Sequence, residues 1–207
     1  MLRESEPLAV EVTEAIRRGD TATVQRVLDA NPGLAAEHIR LSRGTAGTLL
    51  HVVTGWPGFF PNGPAVTRMI IEAGADPDAR VKGRRFAEAP LHRAACTDDA
   101  DVAEALIDGG ADLEIPYGSI GTPLDNAVEY GCWNVARLLV SRGARVDQLW
   151  HAAALGMHER VMDLLAQSAP SDEQLTEAFL QACSGGQRRT AELIALKAHE
   201  TERHGDN

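Results

Sequence analysis

Apolar residues recur along this chain at the spacing of one helical face, and the same ladder returns at intervals. Val102, Leu106 and Ile107 make one ladder and Val135, Leu138 and Leu139 another, each predicting a helix with one buried stripe. Ahead of each stands a shorter segment with small residues, Ala94 and Ala95 and then Ala127, which predicts a short helix that packs closely against its counterpart in the next unit. Pro90-Leu91 and Pro123-Leu124 open these short segments 33 residues apart, and Gly110-Ala111 and Gly143-Ala144 close the ladders at the same offset. A fixed period of that length marks a solenoid.

Each recurring residue has a physical task. Pro90 and Pro123 fit a first helical turn, where N–H groups lack partners, and Thr122 is placed to cap one of them. Gly110 and Gly143 suit a left-handed residue just past a helix end, after which the chain turns back as a short extended finger. One unit therefore reads helix, turn, helix, finger. This unit resembles an ankyrin repeat, whose consensus runs Thr-Pro-Leu-His-x-Ala, a mid-unit Gly, Val-x-x-Leu-Leu and Gly-Ala-Asp. The stretches APLHRAA and GGADLE match it, as do TPLDNA, the break at Gly131 and RLLVSRGA, with Asp125 in place of the His and Arg145 in place of the Asp. The resemblance implies an all-α ankyrin-repeat solenoid of about six helix-turn-helix units with short β-hairpin-like fingers.

The units fall at about 8–45, 46–88, 89–121, 122–146, 147–172 and 173–198, one domain over 1–198 followed by a polar tail, 199–207, expected to fray. The first lacks the Pro-Leu start but keeps Ala15, Gly19, Val24, Val27 and Leu28 in register, and its outer face carries Glu11, Glu14, Arg17 and Arg18, as a solvated terminal unit needs. In the second, Thr48 to Gly74 spans 26 residues where Ala89 to Gly110 spans 21. The extra length is WPGFFPNGP, Trp56 to Pro64, an ordered non-helical loop that its three prolines stiffen. After Asp147 the period contracts by about eight residues, at the expense of a finger. There Trp150 takes the place of His51 and His92, His151 takes the following place, and Phe179 repeats Trp150 in the last unit.

Composition narrows the function. With 44% apolar residues, 207 residues can bury one continuous stacked core. The acidic start of the N-terminus does not look like a secretory leader, and no apolar run is long enough to span a bilayer. Three scattered cysteines, Cys96, Cys132 and Cys183, point to a reducing compartment, the cytoplasm, and the Ala, Arg, Gly and Asp bias points to a bacterial source. A net charge of −10 disfavours nucleic acid and anionic membranes as partners. The one basic cluster, Lys82, Arg84 and Arg85, reads as a solvated loop tip.

No phosphate loop, dinucleotide fingerprint, HExxH or CxxC motif is present, so no catalytic residue, cofactor or metal is assigned. His199, Glu200, Glu202 and His204 read as a polar terminus rather than a metal site. The resemblance implies that His51 and His92 bond to backbone and to the hydroxyl of a neighbouring repeat. It also implies a concave face lined by first helices and fingers, to which the position after the His contributes: Val52, Arg93, Asn126, His151 and Leu180. The inter-helix turns stack Trp56, Phe59 and Phe60 beside Thr97, Asp98 and Asp99, and these beside Tyr130, Cys132 and Trp133. Two readings of that cluster stand open. In one, Trp56, Phe59, Phe60, Arg93, Asp98, Asp99, Asn126, Tyr130, Trp133 and His151 form a binding site. In the other, Asp98 caps the second helix of its own unit while Trp56, Phe59, Phe60 and Trp133 make a satellite core. The expected function is a non-enzymatic interaction module, a scaffold or adaptor, that binds a protein partner on the concave face. The alternative is a small-molecule or catalytic pocket under the insertion, with Asp98, Asp99 or His151 as acid or base.

Overall fold

The structure, a computed structural model, describes residues 1–40, 44–83 and 86–205, with side chains described to His199. Helices come in pairs: α1 (Pro7–Arg18) with α2 (Thr21–Ala30), α3 (Leu49–Val53) with α4 (Gly63–Glu72), and α5 (Pro90–Thr97) with α6 (Ala100–Asp108). Three more follow: α7 (Pro123–Glu129) with α8 (Trp133–Ser141), α9 (Leu149–Ala154) with α10 (His158–Gln167), and α11 (Asp172–Ser184) with α12 (Arg188–Gly205). The first helix of each pair packs on the first helix of the next, from α1 to α11. The second helices do likewise from α2 to α8 and from α10 to α12. The polar stretch after Ala198, expected to fray, continues α12 to Gly205.

Short strands decorate the first finger. β1 (Leu2–Arg3) runs parallel to β2 (Ile39–Arg40), which pairs antiparallel with β3 (Ala46–Gly47). Ala46 then bridges Lys82 of the following finger in both directions. Lys82 is exposed, while Arg84 and Arg85 of the basic cluster lie outside the described residues.

The core explains the stacking. Ala94, Ala95, Ala127, Ala152, Ala153, Ala178 and Ala182 are fully buried along the line of first helices, where small side chains let neighbouring helices pack closely. Leu106, Leu139 and Ile194 fill the second-helix side of the same continuous core. Each such leucine contributes about 1.5–3 kcal/mol by its burial.

One backbone position recurs in all six pairs. The residue in the tight turn between the two helices is left-handed at Gly19, Asn62, Asp98, Gly131, Gly156 and Gly186. Glycine enters that conformation without a Cβ clash, and Asn and Asp are the side chains that tolerate it best.

The two histidines tie each first helix to the end of its unit's finger, through a backbone carbonyl and not the expected hydroxyl of a neighbouring repeat. His51 Nδ1 accepts the Thr48 N–H at 3.1 Å, so its proton sits on Nε2 and is donated to the Glu88 carbonyl at 3.1 Å. His92 repeats this with the Ala89 N–H and the Gly121 carbonyl. Burial pushes the His51 imidazole down to about 3 and lowers that of His92, so both stay neutral. Because these folded values lie below the unfolded value of about 6.5, the unfolded chain takes up protons first on acidification. The stability they secure is complete above pH 6.5 and is lost as the pH falls toward the folded value, by up to about 1.4 kcal/mol per pH unit for each histidine. Urea midpoints measured between pH 7.5 and 4 should therefore drop steeply, and His51→Gln, which keeps an acceptor at the cap, should show a shallower drop.

Candidate functional site

The insertion is built to hold its shape. The Phe59 N–H donates to Asp99 Oδ2 at 2.7 Å, which fastens the loop to the next unit, and Asn62 Nδ2 donates to the Gly19 carbonyl at 2.9 Å, which fastens it to the preceding one. Gly58 lies against Thr97, and a side chain at Gly19 would strike the Pro61 carbonyl. The loop proper ends at Asn62, since Gly63 and Pro64 already begin α4. Pinned at both flanks, it presents Trp56 at 84% exposure and Phe59 at 66%. Phe59 is left-handed, a conformation that a bulky residue adopts only when its surroundings impose it. The satellite core expected of Trp56, Phe59, Phe60 and Trp133 does not form: Trp56 and Phe59 face solvent, Phe60 is half-buried, and Trp133 packs instead against the main core.

Asp98 and Asp99 serve as structural ties. Asp99, buried, accepts the Val102 N–H and so caps α6 as well as holding Phe59. Asp98 caps a different helix from the one expected. Its carboxylate accepts the N–H groups of Asn134 and Val135 at 2.9 and 3.0 Å and the Asn134 amide at 2.8 Å, which caps α8 of the following unit. The left-handed backbone at Asp98 aims the side chain across the unit boundary, a direction that sequence does not reveal.

The positions expected to line an open concave face are more covered than a bare repeat predicts. Val52 is buried, Arg93 is half-buried and Leu180 is exposed. Asn126 is 0% exposed, because the finger 115–121 folds onto it: its Oδ1 accepts the Ile120 N–H at 3.1 Å, and its Nδ2 reaches Ser119 Oγ and Cys96 Sγ. His151 is 3% exposed, its ring tilted 56° against that of Trp150, with Nε2 at 2.8 Å from Asp125 Oδ1. Burial would raise the Asp125 carboxyl, but the bonds from His151 and Thr122 outweigh it and hold the group below its usual value. Asp125, standing where a histidine is usual, thus pairs with His151 of the next unit, where His51 and His92 donate to backbone carbonyls.

What remains open is a groove of about 410 Å³ between fingers and first helices. Trp56 and Thr54 contribute from the insertion side, Phe86 and Glu88 from the finger before α5, and Arg93, Cys96 and Thr97 from α5. Ser119 and Tyr130 close it, with their hydroxyls 3.4 Å apart. Of the residues singled out by sequence, the groove unites Trp56, Arg93 and Tyr130. Phe59, Phe60, Asp98, Asp99, Asn126, Trp133 and His151 are not among its lining residues. Phe86, Glu88 and Ser119 escaped notice because they sit in fingers, which have no periodicity to mark them. Asp98 and Asp99 bond to backbone N–H groups outside the groove, His151 is buried against Asp125, and burial raises the Cys96 thiol to about 11, far from a thiolate at neutral pH. The side chains of Glu200, Glu202 and His204 lie outside the described residues.

Asn126→Ala strands the Ile120 N–H, and Asp99→Ala strands the Phe59 and Val102 N–H groups. Each should cost about 1–3 kcal/mol in urea unfolding, far more than a surface substitution would.

Residues 59–149 match the family model for ankyrin repeats (3 copies). Over 73 residues, 35% of this chain, the sequence is 40% identical to human ankyrin repeat and SOCS box protein 16, covering 16% of that protein. Over 60 residues, 29% of the chain, it is 40% identical to human transient receptor potential cation channel subfamily A member 1, covering 5% of it. The chain thus spans under a fifth of the length of either relative. Ankyrin repeats serve in general as protein–protein interaction modules, and no helix among the described residues is long and apolar enough to cross a membrane. Residues 59–149 are thus ankyrin repeats, and helix pairs on both sides stack on them through the same left-handed turn.

Proposed function

We propose that this chain is a scaffold or adaptor that binds a protein partner on the concave side of its middle repeats, with the insertion as the anchor. One observation carries the reading: a loop fixed by bonds to the units before and after it holds Trp56 in solvent at the rim of an aromatic-lined groove. A monomer gains nothing in stability from an exposed tryptophan held this rigidly. A partner gains a large contact area at little entropic cost, because the loop is already ordered. Tyr130 and Phe86 extend the apolar surface across the next two units, a span suited to a polypeptide.

The rings and the stability are separable, which makes the proposal testable. Trp56→Ala and Tyr130→Ala should each leave the melting temperature within about 2 °C of wild type, as exposed side chains do. In affinity capture from the source organism followed by titration of the purified partner, each should weaken binding at least tenfold, the size expected of an anchoring aromatic. Unchanged affinity in both variants would remove the groove from the interface.

A further inference from the structure

The groove's chemistry indicates what part of a partner enters it. Its lining includes three aromatic rings from three separate elements: Trp56 from the insertion, Phe86 from a finger and Tyr130 from the end of α7. Aromatic faces carry negative charge density and attract lysine, arginine and alkylammonium groups in proportion to how many faces converge. The molecule already uses this attraction one finger away. There the Arg80 guanidinium lies 5.5 Å from the centre of the Tyr117 ring while it donates to the carbonyls of Ala87 and Pro116.

Two charged residues line the groove, Glu88 and Arg93, and each makes further interactions of its own. They act in opposite directions. Within the groove the two offset each other, and the rings and the charge of the whole chain tip the balance toward a cation. The chain's net charge is −10, and long-range attraction steers basic segments toward the surface.

Building on the proposed function, we infer that the groove takes the cationic side chain, lysine or arginine, of an extended basic segment of the partner protein. The three rings enclose the charged head, Glu88 supplies the counter-charge, and the flanking backbone lies across the fingers. Arg93 limits affinity for such a segment, so its removal strengthens binding.

The test uses the full ¹⁵N-labelled chain and a capped five-residue peptide, Gly-Ser-Arg-Ser-Gly, against the same peptide with citrulline or glutamate at the centre. The Trp56 indole N–H is the reporter, assigned by its loss in Trp56→Phe. The arginine peptide should shift it in a saturable, salt-weakened titration, and the other two should not. Glu88→Gln should weaken the arginine peptide about threefold and Arg93→Ala should strengthen it about threefold, with thermal melts showing that both variants fold. Equal shifts from citrulline or glutamate, or opposite signs in the two variants, would overturn the cationic assignment. No shift from any peptide, while Trp56→Ala still abolishes partner capture, would overturn it and leave the docking role standing. Partner capture that survives both Trp56→Ala and Tyr130→Ala would instead fell the function on which it rests.

Discussion

The structure depends on a constraint at the first helices: the positions that stack on neighbouring units are filled largely by small side chains. Ala94, Ala95, Ala127, Ala152, Ala153, Ala178 and Ala182 are all fully buried there, with Val53 of α3 a bulkier member of the same line. No helix pair can bury both its faces alone, so each is stable only against its neighbours, and the solenoid is as strong as its successive contacts. The left-handed turn serves this constraint, because it brings the second helix back along the first without displacing it from the stack.

Polar groups then set how the units register. His51 and His92 donate to the carbonyls that close their own units just ahead of the next first helix, Asp98 reaches forward to cap α8, and Asp125 lies against His151 of the following unit. The histidine bonds and the Val135–Asp98 bond are partly buried, and each leaves a stranded donor or acceptor if the units slip. At the junction of the fourth and fifth units, where the finger is shortened, Arg160 donates to the Val146 carbonyl at 2.8 Å and supplements the α7–α9 contact.

Function is layered on this frame where the frame leaves room. The insertion lies in a turn, outside the stack, so five extra residues do not disturb the helices on either side. Its ties use atoms that the repeat already supplies, the Gly19 carbonyl and the Asp99 carboxylate. What the insertion adds is display: aromatic rings held in solvent beside a groove whose other walls belong to fingers.

Sequence by itself determined the period, the six ladders, the small residues of the first helices and the glycines past the second, because a stack of equal units demands the same residue types at the same offsets. It also marked the insertion, since WPGFFPNGP breaks the period and cannot be helical. Tertiary structure alone decided what those residues face. Asp98 and Asp99 are neighbours in sequence, yet one caps the following unit and the other holds the preceding one, because a left-handed backbone at Asp98 turns the two side chains apart. Asn126 is polar and stands at a position expected to be open, yet a finger folds over it. Phe86 and Glu88 join Trp56, Arg93 and Tyr130 only through the lateral stacking of fingers, which carry no repeat signal. Periodicity records what every unit shares, whereas a groove between units is made by the residues in which they differ.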